Sequence, residues 1–190
     1  VLGFRLELEP MEAIDREVMF APQLFDRREI GYIHRHLPVG GVFLDLGSNI
    51  GFYSLVASRI VGESGRVLTV EADPYTFSKV QHTVSENNIE NIKVLQVGVA
   101  DKEQVLQLTL QLRGNRGGCS FMNIDSRNTE TVSVQCKPLF ELLRENDIQR
   151  VDVAKLDLEG FEYRALCTFF AQADRSLWPR HLIVERADPS

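Results

Sequence analysis

The sequence predicts a three-layer, doubly wound α/β fold whose sheet is mostly parallel and carries an inserted antiparallel hairpin. Short apolar runs without alternation, typical of strands buried on both faces, recur along the chain. Segments with apolar residues at helical spacing separate these runs, and most connections are short. This order places helices on both faces of a parallel sheet. We expect a single domain over residues 1–190, with an N-terminal cap segment at 1–38 and a core at 39–190.

The first half of the chain contains three predicted strands at residues 42–46, 67–70 and 92–97. Apolar residues at helical spacing follow the first strand and indicate a helix there. Asp73 and Pro74 begin the next helix, because Asp accepts hydrogen bonds at a helix start and Pro is tolerated at the first helical position.

The spacing of apolar residues changes in the second half of the chain. Leucines from 106 to 112 and apolar residues from 132 to 136 alternate with polar residues, which predicts two half-buried strands of an antiparallel hairpin. Parallel strands follow at 151–157 and 181–185, and the sequence then ends. We therefore expect the final strands of the fold to be missing from this chain.

Composition excludes several functional classes. No apolar run approaches the roughly 20 residues that a membrane-spanning helix needs. A net charge of −6 argues against binding to long nucleic acids, which usually requires a basic face. The three cysteines are odd in number and lack metal-ligand spacing, which favours reduced thiols and a cytoplasmic location. The oligomeric state stays open.

A glycine-containing turn follows the first strand, in the region where doubly wound folds bind ligands. Gly47 and Gly51 allow the backbone to approach a ligand closely, and Asn49 tolerates a positive φ between them. We expect Ser48 to join them in holding a cofactor. Asp45, at the strand end, either accepts a hydrogen bond from a ligand ammonium group or orders the turn.

Residues at the next two strand ends complete the predicted cofactor site. Glu71 is placed to hold both hydroxyls of a ribose, with Ala72 beside it. Val99 and Ala100, just past the third strand, offer an apolar and backbone surface to adenine. A dinucleotide fingerprint would need three glycines, whereas its second and third positions hold Asn49 and Phe52. The turn therefore suits an adenosyl ligand without a pyrophosphate better than NAD.

Three segments, residues 45–54, 70–74 and 155–162, resemble the motifs of the FkbM family of methyltransferases. The resemblance covers roughly residues 40–185. It implies a class I, Rossmann-like methyltransferase fold with S-adenosylmethionine as cofactor. It also implies methyl transfer to a hydroxyl oxygen of a sugar, lipid or small-molecule metabolite, so the expected partner is a small-molecule or glycan acceptor.

The candidate catalytic residues lie at the end of the fourth strand. In one interpretation Asp157 or Glu159 is a general base, and Lys155 keeps the carboxylates ionised or steers the acceptor. In a second, Asp157 and Glu185 bind Mg²⁺, which lowers the pKa of the acceptor hydroxyl. In a third, these side chains form an ion-pair network that shapes the pocket floor.

Two other functions need comparison. Nucleic-acid methyltransferases usually carry an Asn/Asp-Pro-Pro-Tyr type motif after the fourth strand, whereas residues 157–160 read Asp-Leu-Glu-Gly, so no nucleic acid is expected. A non-catalytic adenosyl- or nucleotide-binding Rossmann-like module would retain the cofactor turn without a competent acceptor site. The Gly- and Arg-rich segment 113–120 is either solvated or a lid over the acceptor.

Overall fold

The computed structural model describes residues 3–111 and 129–185, so the segment 113–120 lies outside the described residues. A five-stranded parallel sheet forms the centre of the molecule, in the order β3-β2-β1-β7-β8. Its strands are β1 (Val42–Leu46), β2 (Arg66–Glu71), β3 (Ile92–Gln96), β7 (Val153–Leu156) and β8 (His181–Val184). The strand order reverses beside β1, because the chain first builds outward through β2 and β3 and then returns to add β7 on the other side.

A second sheet of three strands packs against the core of the first, in the order β4-β6-β5. Its strands are β4 (Gly98–Val99), β5 (Gln104–Gln111) and β6 (Thr129–Lys137). The β5–β6 pair is antiparallel, which confirms the predicted hairpin, and Leu108 and Val134 of its alternating apolar face are buried. Strand β4 was not predicted. It pairs in parallel with β6.

Six α-helices of the described residues surround the sheets. They are α1 (Ala13–Phe20), α2 (Arg27–His36), α3 (Phe52–Val61), α4 (Pro74–Glu86), α5 (Leu139–Glu145) and α6 (Glu162–Gln172), and a short 3₁₀ turn lies at Arg175–Leu177. Asp73 caps α4 as predicted, since its carboxylate accepts hydrogen bonds from the backbone N–H groups of Tyr75 and Thr76. Among the helices described, none has the length and apolar character to cross a bilayer.

The central strands are buried because helices cover both faces. All five residues of β1 are buried, as are all four of β7. Helix α3 follows β1 and is itself almost wholly enclosed, with Leu55 and Ala57 at most 1% exposed. This packing fixes the connection between β1 and α3 against the end of β7, and the candidate site lies at that connection.

Candidate functional site

The turn between β1 and α3 has three residues in the left-handed region, where φ is positive. Gly47 has φ of 81°, Asn49 has 49° and Gly51 has 75°, so the positive φ predicted at Asn49 is confirmed. A Cβ atom on Gly47 would lie 1.8 Å from the carbonyl oxygen of Asp157. The backbone following β7 therefore leaves no room for a side chain at this position. Gly47 also lines the cavity described below, so its predicted approach to a ligand stays a prediction.

Glu71 connects the end of β2 to this turn. One carboxylate oxygen accepts a hydrogen bond from the backbone N–H of Asn49 at 2.8 Å, and the other accepts one from Asp73 at 2.9 Å. Burial raises the pKa of Glu71 to about 7, although these backbone hydrogen bonds act in the opposite direction. The neighbouring Ala72 is partly buried and packs against the core. Glu71 and the turn are thus brought together as the sequence predicted.

Asp45 lies beneath the turn rather than at its surface. Its side chain is fully buried and accepts a hydrogen bond of 2.6 Å from the Ser54 hydroxyl, which also bonds Thr69 at 2.7 Å. Burial raises the pKa of Asp45, and the charge of Lys155 counteracts this. Of the two roles considered for Asp45, these contacts favour ordering of the turn over contact with a ligand.

Lys155 and Asp157 form an ion pair at the end of β7, with 3.1 Å between the Lys Nζ and an Asp carboxylate oxygen. The Lys155 ammonium also lies over the ring of Tyr53, 4.8 Å from its centroid. Burial alone would lower the pKa of Lys155, but the charges of Asp45 and Asp157 raise it overall, so the side chain stays cationic. The Tyr53 hydroxyl in turn donates a 2.6 Å hydrogen bond to Asp26, just before α2.

Glu185, directly after β8, shares a hydrogen bond with Asp157. This bond, followed by partial burial, raises the pKa of Glu185 to about 7. Within residues 3–111 and 129–185, no group of three or more His, Cys, Asp or Glu side chains is placed to hold a metal ion. The predicted Mg²⁺ site at Asp157 and Glu185 therefore has no third His, Cys, Asp or Glu ligand among the described residues.

Glu159 lies on the loop between β7 and α6, with φ of 50°, and its side chain is exposed. Burial of part of the carboxyl group, together with the charges of Asp157 and Glu162, raises its pKa to about 7. Glu159 does not line the cavity that Lys155 and Asp157 line. Of the two predicted bases, only Asp157 borders this cavity.

That cavity has a volume of about 340 Å³ and opens beside the turn. Three parts of the chain form it: the β1–α3 turn with the start of α3, the ends of β7 and β8, and the N-terminal helical segment. The lining residues are Ile14, Glu17, Phe25, Asp26, Glu29, Gly47, Ser48, Asn49, Ile50, Phe52, Tyr53, Lys155, Asp157, Ile183, Val184 and Glu185. Ser48 is 4% exposed, and its hydroxyl has no hydrogen-bond partner among the described residues.

Sequence reasoning missed three residues that shape this site. Tyr53 and Asp26 connect the N-terminal segment to Lys155. Tyr53 lies in the motif segment 45–54 but was given no role, and Asp26 lies in no motif. Glu162 organises the loop after β7, because its carboxylate accepts hydrogen bonds from the backbone N–H groups of Leu158 at 2.6 Å and Gly160 at 3.1 Å. An acidic residue in the first turn of a predicted helix was the available signal for Glu162.

Val99 and Ala100 lie in the hydrophobic core, at 1% and 0% exposure. Their side chains pack in the cluster that also contains Leu108 and Cys136. Neither residue has free surface for an adenine ring in this structure, and neither lines the cavity. The adenine contact stays a prediction.

Comparison with known proteins identifies relatives of this chain. Residues 45–188 match the family model described as the methyltransferase FkbM domain. The methyltransferase sdnD of Sordaria araneosa is 26% identical over 185 residues, covering 82% of this chain and 70% of that protein. A protein-L-isoaspartate O-methyltransferase of Methanococcus maripaludis (strain C5) is 42% identical over 59 residues, which are 31% of this chain and 28% of that protein. The chain thus spans less than a third of the length of the latter relative.

Two solved structures align with much of the chain at low sequence identity. A SAM-dependent methyltransferase from Aquifex aeolicus is 16% identical, with a TM-score of 0.49, and the alignment covers 92% of this chain and 74% of that one. A methyltransferase FkbM from Methylobacillus flagellatus KT is also 16% identical, with a TM-score of 0.44, and the alignment covers 75% of this chain and 36% of that one.

Proposed function

Because this chain belongs to the FkbM family of methyltransferases, we propose that it transfers a methyl group from S-adenosylmethionine to a hydroxyl oxygen of a sugar, lipid or small-molecule metabolite. The observation that carries the proposal is the cavity beside the β1–α3 turn, which Lys155 and Asp157 line. The left-handed turn, the strand-end Glu71 and a carboxylate paired with a lysine meet at this end of the sheet.

The residues of the turn suit an adenosyl ligand. In this proposal Glu71, at the end of β2, accepts hydrogen bonds from the ribose hydroxyls. The Ser48 hydroxyl in the cavity wall has no partner among the described residues and requires a polar one. The backbone of Gly47, Asn49 and Gly51 surrounds the cofactor in this proposal, with Asp45 holding the turn from below. When bound, S-adenosylmethionine supplies an electrophilic methyl group on a sulfonium sulfur.

Asp157 is the proposed proton acceptor. An alcohol is a weak nucleophile until its proton is removed, so a carboxylate within reach of the acceptor hydroxyl would speed the transfer. The Asp157 carboxylate lies 3.1 Å from the Lys155 ammonium, and its hydrogen bond with Glu185 brings a second carboxyl group beside it. Lys155 is held in place by the ring of Tyr53, so it positions the carboxylate.

Calorimetric titration with S-adenosylhomocysteine, S-adenosylmethionine and NAD tests the cofactor assignment. We expect both adenosyl compounds to bind and NAD not to bind, because the turn lacks the second and third glycines of a dinucleotide site. Binding of NAD alone would refute the assignment. Binding of the adenosyl compounds without methyl transfer to any hydroxyl acceptor would favour the non-catalytic binding module.

The substitution Asp157→Asn tests the proton acceptor. We expect turnover to fall by about 100-fold, with affinity for S-adenosylmethionine retained, because the amide keeps the shape of the side chain but accepts a proton poorly. Asp147→Asn is the matched control, since Asp147 is exposed and does not line the cavity. Unchanged turnover in Asp157→Asn would exclude Asp157 as the base. Methylation assays with both variants at saturating cofactor measure the effect.

A further inference from the structure

Acidic side chains dominate the wall of the 340 Å³ cavity. Among the described lining residues there are five carboxyl groups and one basic side chain, Lys155. Lys155 is already paired with Asp157, and Asp26 accepts the Tyr53 hydroxyl. Glu17 and Glu29 form no ion pair within the parts of the chain that the structure describes. The cavity therefore has a strong excess of negative charge, concentrated on the side formed by α1 and α2.

An independent feature of the same cavity indicates that it receives a polar ligand. The Ser48 hydroxyl is buried and has no hydrogen-bond partner among the described residues, and Ser48 lines the cavity. A buried hydroxyl without a partner is costly, so natural proteins usually satisfy such a group with a ligand or water. The acidic wall thus faces a space in which a polar ligand or water can satisfy the Ser48 hydroxyl.

The proposed cofactor does not neutralise the negative charge of this wall. S-adenosylmethionine has a sulfonium, an ammonium and a carboxylate group, so it carries one net positive charge. Without Glu185, whose pKa is raised to about 7, the wall still has three more carboxyl groups than cations, so about two negative charges remain when the cofactor is bound. The second molecule in the site therefore meets a negative potential, which attracts cations and repels anions.

We infer that the methyl acceptor is a hydroxyl compound that also carries a protonated amine, such as an amino sugar or amino alcohol. This inference rests on the proposed function. Its hydroxyl lies at Asp157, and its ammonium group lies toward Glu17 and Glu29, which line the same cavity from α1 and α2. Acceptors with a phosphate or carboxylate group are excluded by like-charge repulsion.

Three matched sugars test the charge preference: glucosamine, glucose and glucuronate. Each is titrated into the full chain saturated with S-adenosylhomocysteine, and binding is followed by calorimetry. We expect glucosamine to bind at least about tenfold more tightly than glucose, and glucuronate not to bind. The preference for glucosamine should shrink at high ionic strength, since the glutamates at the cavity are partly exposed to solvent.

The double substitution Glu17→Gln with Glu29→Gln tests whether these two carboxylates cause the preference for glucosamine. We expect it to abolish the preference for glucosamine over glucose while leaving binding of S-adenosylhomocysteine intact. The double substitution Glu86→Gln with Glu90→Gln is the matched control, because it removes two exposed carboxylates that do not line the cavity. The control should keep the preference.

The possible outcomes separate the two proposals. Failure of S-adenosylhomocysteine to bind the unmodified chain would refute the proposed function itself. If that compound binds, equal affinity for the three sugars, or binding of none of them, would overturn the inference about the acceptor and leave the methyltransferase assignment standing. A preference that survives the Glu17 and Glu29 substitutions would also overturn it.

Discussion

The Glu71 carboxylate, at the end of β2, takes part in one observed and one proposed set of hydrogen bonds. It accepts the backbone N–H groups of Asn49 and Asp73, which fixes the turn, and it is the proposed partner of the ribose hydroxyls. Burial raises its pKa to about 7. In the ligand-free protein the folded state therefore holds this proton more tightly than the unfolded chain. The resulting stabilisation is present below the ordinary pKa of 4.5 and is lost as the pH rises to about 7.

Cofactor affinity should depend on pH in the opposite direction. Ribose hydroxyls donate to the ionised Glu71, so we expect S-adenosylhomocysteine to bind more tightly as the pH rises through about 7. Below that value, affinity should fall by about tenfold per pH unit, because protonation of the carboxyl competes with binding. Titrations at several pH values measure this slope, and Glu71→Gln should bind weakly at all of them. A flat profile in the unmodified protein would show that Glu71 does not titrate on binding.

Single residues differ in how far the sequence reveals them. Glu71 and Asp157 were predictable because both follow strands, and parallel strands end at one edge of the sheet. The contact of Tyr53 with Asp26 could not be predicted. Tyr53 lies on α3 and Asp26 just before α2, and the approach of these two elements depends on tertiary packing. The same holds for Tyr32 and His181, whose 2.9 Å hydrogen bond joins residues 149 positions apart. His181 had no partner that the sequence identified.

The turn between β1 and α3 is the element on which the site depends. Gly47 has a left-handed backbone conformation. A Cβ atom at this position would collide with the carbonyl group of Asp157, just after β7. The turn is also joined to β2, because the backbone N–H groups of Gly47 and Ser48 both donate to the Val70 carbonyl. Three adjacent strands thus meet at one loop, so a distortion of the turn reaches the whole candidate site.

The substitution Gly47→Ala should be much more costly than Gly40→Ala. Both glycines have positive φ, 81° and 71°, so both substitutions add backbone strain of about 1–2 kcal/mol. At Gly40 the nearest atom to a new Cβ is the Ser64 hydroxyl oxygen at 3.2 Å, whereas at Gly47 it is backbone at 1.8 Å. We expect Gly47→Ala to lower the free energy of unfolding by more than about 4 kcal/mol. Urea denaturation of both variants measures this, and equal costs would contradict the steric argument.

The predicted elements agree with the structure where burial produces a strong pattern. The five central strands were predictable from their apolar runs, and the hairpin from its alternation. Strand β4 could not be predicted, because two residues are too few to show an alternation of apolar and polar side chains. The predicted strand at 151–157 is shortened to Val153–Leu156. At its start the Asp152 carboxylate accepts a hydrogen bond from the Val42 N–H, while the Asp152 N–H donates to the Val42 carbonyl.

At the scale of the whole molecule, the N-terminal segment is fastened to the core by a cluster of charges. Lys79 on α4 lies 2.8 Å from an Asp15 carboxylate oxygen and 3.1 Å from one of Glu9. Asp15 is 2% exposed and also accepts the backbone N–H of Glu9. Since α1 and the start of α2 form one wall of the cavity, this cluster determines whether that wall is in place. No sequence pattern indicated this cluster, because the three residues are up to 70 positions apart.

Removing the lysine should therefore open the cavity without unfolding the sheet. Lys79→Met leaves the buried Asp15 carboxylate without its cation, and we expect the stability of the α1 region to fall by about 2 kcal/mol. This is less than for a wholly enclosed pair, because the Lys79 side chain keeps 12% exposure. Hydrogen exchange should accelerate in residues 9–26 and stay unchanged in β1 and β7, since regions of low contact open separately from the core. Lys102→Met, at an exposed lysine, is the control. Uniformly faster exchange would mean that the N-terminal segment and the sheet unfold as one unit, and unchanged exchange at 9–26 would mean that apolar packing alone holds the wall.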